Sequence, residues 1–332
     1  MSPDATNSRT SRPLPSVAFI RAYAVTMRPY LLFVSGAAGL VGLTFVPQIK
    51  TPVFVLVFVS LYLSYGLGQA LTDCFQTDTD AISAPYRPLV RGEVTRSRVL
   101  GVSLAGLTGC AVALAFVNSA VFLPAILAIL GLLTYTWLKR RFWGGPPWNA
   151  AIVALLPIMG RMADHDFTIA CLAVLDAHSS KAFAFAVGAV FAGYANFVIM
   201  GYFKDISADA RTGYRTLPVV FGWTTAAIVS DLSAVAAASL AFLSLRGATG
   251  PPWPAWIVLC IAVFVNAFAQ IGIHITREER ASHAPIANVV RAFVLYCLAI
   301  VLAQAPRLLL FSIAFYALFE AALRRRPERS QI

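Results

Sequence analysis

Charge is what this chain lacks. Only 12% of its 332 residues are Asp, Glu, Lys or Arg, while 59% are hydrophobic. A soluble domain carries about 25% charged residues, so this balance excludes one. Cysteine is equally unhelpful to a soluble fold. The five present, Cys74, Cys110, Cys171, Cys260 and Cys297, are odd in number and embedded in apolar stretches. They read as small core residues, not as a disulfide framework or a zinc site. The four histidines, His165, His178, His274 and His283, show no metal-ligand spacing. Strict polar–apolar alternation is also missing, which excludes a closed barrel. Met1 to about Arg21 is polar and rich in Ser, Pro and Arg, without the short apolar core and cleavage site of a secretory signal. The expectation for residues 1–21 is a disordered cytosolic tail.

What remains is long apolar runs. They lie at about 29–47, 53–75, 98–118, 120–138, 148–163, 182–203, 219–245, 253–275, 286–304 and 305–323. A span needs about 20 predominantly apolar residues. The fold class is therefore all-α, a polytopic membrane bundle of nine or ten transmembrane helices. One domain is expected over 22–323, with a basic cytosolic tail over 324–332. Pro306 and Arg307 mark a break between the last two segments, and one long kinked element is the alternative.

The formal net charge of +11 raises nucleic acid as a partner, but the basic residues are spread over the connections and no soluble domain carries them. Topology and anionic lipid account for them better. With ten crossings, one side collects Arg28, Arg87, Arg91, Arg96, Lys139, Arg140, Arg141, Lys204, Arg215 and the arginines near the C-terminus. The other side collects only Lys50, Lys181, Arg246 and Arg307, and its 164–181 connection holds Asp164, Asp166 and Asp176. The bias predicts a multi-pass protein with cytosolic N- and C-termini.

Two acidic clusters sit at the ends of apolar segments on that basic side. The first is Thr72-Asp73-Cys74-Phe75-Gln76-Thr77-Asp78-Thr79-Asp80, and the second is Lys204-Asp205-Ile206-Ser207-Ala208-Asp209. Acids at a helix end in a loop are often only solvated, yet carboxylates beside hydrocarbon are expensive enough to signal function. On one continuous helix, residues 73, 76, 77 and 80 share a face, as do 205 and 209. Asp78 points elsewhere. Two such faces suit Mg²⁺ bridged by a diphosphate. Arg87, Lys139, Lys204 and Arg215 are placed to add positive charge to that anion. A transporter is the less favoured class, because the acids lie at helix ends and not at the midplane.

These residues resemble the UbiA superfamily of intramembrane prenyltransferases over nearly the whole chain after the tail. Pro85-Tyr86-Arg87-Pro88 sets the alignment, so Asp73 and Asp80 fall on the first and last acidic positions of the family's Asn-Asp-x-x-Asp-x-x-x-Asp motif. Tyr135 and Lys139 match its Tyr-x-x-x-Lys, Asp205 and Asp209 match its second Asp-x-x-x-Asp, and Gly213, Arg215, Thr216, Leu217 and Pro218 follow in the same pattern. The chain departs at Thr72 and Gln76, which stand where the family has Asn and Asp. The resemblance implies Mg²⁺ held by Asp73, Asp80, Asp205 and Asp209, with Gln76 as a neutral candidate ligand. It implies Tyr135, Lys139 and Asn149 as catalytic, and a prenyl diphosphate passed to a lipophilic, aromatic acceptor. Terpene cyclases of the same fold tend to lose the middle Asp of the first motif, so cyclisation is the alternative. Asn196 reads either as pocket lining or as an interhelical hydrogen bond. Gly39, Gly42, Gly66 and Gly68 read as close-packing positions.

Overall fold

The computed structural model describes residues 16–164, 167, 178–248 and 252–326. Thirteen α-helices, joined by short turns, make up the described residues, and no strand occurs among them. The first is α1 (Val17–Met27), which is followed by α2 (Leu32–Thr44) and α3 (Thr51–Asp73). Short α4 (Thr77–Ser83) precedes α5 (Arg96–Val117), α6 (Phe122–Arg141), α7 (Gly145–Arg161) and α8 (His178–Tyr202). A second short helix, α9 (Ile206–Arg211), precedes α10 (Leu217–Arg246), α11 (Trp253–Thr276), α12 (His283–Gln304) and α13 (Leu309–Arg324). Each of the ten apolar segments contains a helix at nearly the expected bounds. Among the described residues, 8 continuous stretches are long and apolar enough to span a membrane, and α1 with α2, bent by 50°, passes the same test as a pair. At 17 residues, α7 is at the short limit of a span. The last two segments are separate, divided by a 3₁₀ turn over Pro306–Leu308.

The start of the chain differs from expectation. Residues 17–21 belong to α1, not to a disordered tail. Ser16 caps the helix, accepting a hydrogen bond from the Phe19 N–H at 3.1 Å. Phe19, Ala22 and Tyr23 then pack on Leu67, Leu71 and Val99 of α3 and α5, and Tyr23 Oη lies 2.8 Å from Ser103 Oγ. Apolar contacts of this kind offset the ordering entropy that a solvated tail would keep. Residues 1–15, most of the 164–181 connection with Asp166 and Asp176, and 327–332 lie outside the described residues.

The bundle has a centre and a lipid face. The most apolar window of α12 is 89% buried and that of α8 is 72%, against 28% for α5. Helices α12 and α8 are therefore the axis around which the others stand. Small residues let backbones meet where the packing is tightest. A Cβ on Gly42 would fall 1.9 Å from the Pro157 carbonyl oxygen, and one on Gly160 would fall 2.5 Å from the Gly39 carbonyl oxygen. Helices α2 and α7 thus touch main chain to main chain. Asn196 donates from Nδ2 to the Ser230 carbonyl at 2.9 Å and lies 3.4 Å from Gln270 Nε2, so it ties α8 to α10 and α11 and does not line a pocket. Helix α13 is clipped to α12 by Arg291, whose Nε and Nη2 reach the two Glu320 oxygens at 2.6 and 3.1 Å.

Candidate active site

Both acidic motifs arise from the same local device. At the end of α3 the helix tightens into i→i+3 bonds, Phe75 N–H to Thr72 O at 3.0 Å and Gln76 N–H to Asp73 O at 3.2 Å, and restarts as α4. At the end of α8, Phe203 N–H bonds Met200 O and Asp205 N–H bonds Tyr202 O, each at 3.2 Å, before α9 begins. The continuous helical face expected for residues 73, 76, 77 and 80 is therefore broken, although Asp73, Gln76 and Asp80 still line one cavity. Gln76 and Asp205 hold the N-cap positions with almost the same backbone, φ −121°, ψ 15° and φ −120°, ψ 11°. A hydrogen bond between Thr79 and Thr212 hydroxyls, 2.8 Å, locks the two short helices together.

The cavity encloses about 1420 Å³ up to and including its open mouth. Its polar end holds Arg28, Asp73, Gln76, Asp80, Arg87, Lys139, Lys204 and Asp205. Its apolar length is walled by α3, α5, α6, α7 and α8, down to Leu114, Ala125 and Met159. From Lys139 to Ala125 along α6 is about 21 Å at 1.5 Å per residue. A polar head at one end and a long hydrocarbon slot behind it suit an amphiphile whose head is anionic.

Fixed cations meet every carboxylate of the two motifs. Arg28 Nη2 lies 3.0 Å from both oxygens of Asp73, which also accepts from Gln69 Nε2 at 2.7 Å. Arg87 Nη1 pairs with Asp80 and approaches Asp73 at 3.6 Å. Lys204 Nζ contacts Asp205 at 2.7 Å, and Lys139 Nζ contacts Asp209 Oδ1 at 3.2 Å. Burial raises the Asp80 and Asp209 carboxyls above the ordinary carboxylate range, opposed by Arg87 and Lys139 respectively. Burial acts most strongly on Asp205 too, but Lys204, Lys139 and Arg87 together outweigh it and hold that carboxyl below its ordinary range. Asp78 is on the surface, paired with Arg140 at 2.7 Å.

Aromatic hydroxyls sit just inside the polar end. Tyr135 Oη and Tyr202 Oη are 2.9 Å apart, and Lys139 Nζ lies over the rings of Tyr202 and Tyr214 at 5.0 and 4.6 Å. Asn149 lines the cavity, as expected. Arg215 does not: its side chain is exposed, and it joins the site only through its backbone N–H to the Lys139 carbonyl at 3.0 Å. Asp209 is fully buried behind Lys139 and is not part of the cavity wall. Gln76 donates from Nε2 to Thr136 Oγ1 at 3.3 Å.

Arg28, Gln69 and Tyr65 line the cavity without having been singled out for the polar site. Arg28 had a signal, an Arg-Pro pair at the edge of an apolar segment, and it adopts the left-handed conformation, φ 52°. Gln69 lies one helical turn before Asp73 on the same face.

The second motif fits a divalent cation. Asp209 Oδ2 is buried and has no hydrogen-bond partner. An orphaned carboxylate oxygen four residues from a second carboxylate is the hard oxygen donor that Mg²⁺ takes. Among the described residues, no group of three or more His, Cys, Asp or Glu side chains is arranged around a single point.

Comparison with known proteins gives a consistent answer. The model of the UbiA prenyltransferase family matches residues 30–289. The digeranylgeranylglyceryl phosphate synthase of Thermococcus kodakarensis is 28% identical over 253 residues, 75% of this chain and 86% of that protein. Its counterpart in Halobacterium salinarum is 31% identical over 212 residues, 63% of this chain and 71% of that one. In structure, a UbiA homologue from Aeropyrum pernix superposes with a TM-score of 0.66 at 20% identity, covering 79% of this chain and 96% of the other. A UbiA homologue from Archaeoglobus fulgidus bound to GPP and Mg²⁺ superposes with a TM-score of 0.60 at 17% identity, covering 84% and 99%. The match to the family model over most of its length establishes that this multi-pass membrane protein belongs to the UbiA prenyltransferase family.

Proposed function

We propose that the protein transfers a prenyl group from a prenyl diphosphate to a lipophilic acceptor, with Mg²⁺ as cofactor, at the cytosolic end of the bundle. The observation that supports this best is the cavity itself, with the cations Arg28, Arg87, Lys139 and Lys204 beside Asp73, Gln76, Asp80 and Asp205 at one end and a mostly apolar wall behind Tyr65 and Tyr194. The diphosphate occupies the polar end and the isoprenoid tail runs toward Ala125 and Met159. Arg28, Arg87, Lys139 and Lys204 take the charge that develops on the departing diphosphate as the C1–O bond breaks. Asp205 on the cavity wall, with Asp209 behind Lys139, would hold the Mg²⁺, which would supply further charge stabilisation to the leaving group. The apolar wall keeps water from the allylic cation, and the Tyr135–Tyr202 pair presents π faces and hydroxyl oxygens near it. The acceptor's nucleophilic atom then bonds C1 and gives up its proton.

The relatives' names describe a digeranylgeranylglyceryl phosphate product, which favours the hydroxyl of a glyceryl phosphate lipid as acceptor over the aromatic ring expected from the motifs. The neutral Gln76 supports a second reading, cyclisation of the donor without acceptor. Purified protein with Mg²⁺ and a geranylgeranyl donor, offered a prenylated glyceryl phosphate, an aromatic acceptor or none, separates the three. Prenylated product only with the lipid phosphate is expected. A cyclic hydrocarbon or alcohol in the acceptor-free arm would replace the transferase reading by the cyclase.

The basic asymmetry of the connections supports cytosolic N- and C-termini and a cytosolic polar site. The prenyl diphosphate, the acceptor and anionic lipid are the proposed partners.

A further inference from the structure

The two acidic half-sites are built on one backbone plan, so their side chains can be compared position by position. Gln76 and Asp205 occupy the same N-cap conformation. Asp80 and Asp209 each stand four residues later, with N–H bonds back to Gln76 O at 2.9 Å and to Asp205 O at 2.8 Å. The second half-site therefore offers a carboxylate pair where the first offers an amide and a carboxylate.

The counter-charges differ as well. In the first half-site they are guanidinium groups, which stay protonated and are rigid and planar. Arg28 covers both Asp73 oxygens and Gln69 adds a third donor, so Asp73 is close to saturated. Arg87 Nη1 pairs with Asp80 Oδ2 and approaches Asp73 Oδ1 as well, so one guanidinium bridges the two carboxylates. In the second half-site the partners are lysines, each touching one oxygen of one carboxylate. Asp209, fully buried, keeps Oδ2 without a partner. Lysine is a flexible point charge that can turn to a phosphate.

We propose that each chain binds one divalent cation in its donor complex, at Asp205 and Asp209, and that the Gln76 half-site binds none, Arg28 and Arg87 meeting the diphosphate there directly. Two guanidinium groups already balance Asp73 and Asp80, and the amide of Gln76 brings no charge to favour a dication over them. The inference rests on the metal-dependent transferase reading, and it divides the site into a metal half and an arginine half.

The test counts Mn²⁺ by the loss of its free EPR signal, in detergent, with a geranylgeranyl thiodiphosphate in which sulfur replaces the bridging oxygen at C1. One Mn²⁺ per chain is expected in the unaltered protein, one in Asp80→Asn, none in Asp209→Asn, and two in Gln76→Asp. If Gln76→Asp does not fold, the Asp80→Asn and Asp209→Asn pair still decides. Two Mn²⁺ in the unaltered protein, or loss of bound Mn²⁺ in Asp80→Asn, overturns the one-metal assignment and leaves the transferase reading standing. Binding of the analogue with no Mn²⁺ at all overturns both.

Discussion

Tyr135 and Tyr202 meet hydroxyl to hydroxyl at 2.9 Å, from opposite walls of the cavity, with the Lys139 ammonium 5.0 Å above the Tyr202 ring. Helix α6 supplies Tyr135 and Lys139 one turn apart, and α8 ends at Tyr202 just before the Asp205 turn. The pair links the polar end of the cavity to the start of its apolar slot. Tyr135→Phe removes one hydroxyl and keeps the ring. It is expected to lower turnover about 10-fold, the loss of roughly 1.4 kcal/mol of transition-state stabilisation, with donor affinity nearly unchanged. Single-turnover rates and donor binding measured together check it. An unchanged rate would make the pair a packing contact.

Asp205→Asn and Asp209→Asn each remove one charge at almost constant volume. Turnover is expected to fall about 100-fold or more in both, because a lost metal ligand costs several kcal/mol of charge stabilisation. The thermal midpoint in detergent should stay near that of the parent. Near-normal turnover in both variants would reduce this cluster to a capped helix end.

Arg28→Lys keeps the charge and loses the planar group whose Nη2 reaches both oxygens of Asp73. Arg28→Ala leaves a carboxylate that is 2% exposed with only Gln69 and the more distant Arg87 for partners. The alanine variant is expected to lose about 3 kcal/mol of stability and the lysine variant clearly less, read as detergent melting midpoints. Equal melting of all three proteins would show that the pair contributes nothing to the fold.

Ala125 lies near the far end of the slot, about 21 Å along α6 from Lys139. Ala125→Phe is expected to cut turnover with a geranylgeranyl donor by more than 10-fold and to spare a geranyl donor. Competition between donors of different length reads this directly. Equal losses for long and short donors would place the tail elsewhere.

Orientation is checked with a membrane-impermeant maleimide on intact and lysed cells, using Arg91→Cys and Ser119→Cys. These positions are expected on opposite sides, the first labelled only after lysis. Labelling of both in intact cells would overturn the orientation.

The ten helices were legible because continuous apolar runs leave a membrane chain little choice but a helix. Lys139 and Asp205 were legible as charges at the ends of such runs, and Tyr135 only through the resemblance, whose Tyr-x-x-x-Lys pattern falls on Tyr135 and Lys139. The break between Asp73 and Thr77 was not. No Gly or Pro marks it, and the bonds that stabilise it come from Arg28, Arg87 and Thr212, remote in sequence. Arg215 looked equivalent to the other loop cations, but the turn after α9 directs its side chain outward, and only three-dimensional context decides that. Arg28 was counted as a charge on one side of the membrane. Its role depends on a left-handed residue at the α1–α2 bend, which sequence spacing does not reveal.

The main-chain contact between α2 and α7 has a consequence for how substrates are measured. Helix α7 supplies Ile152, Leu156 and Met159 to the slot, and its register against α2 is set at Gly42 and Gly160, where no side chain stands between the backbones to give way. A wall held in this way has less room to yield than one cushioned by side chains. For the proposed prenyl donor the slot is therefore expected to act as a gauge, with turnover falling sharply past a threshold in chain length.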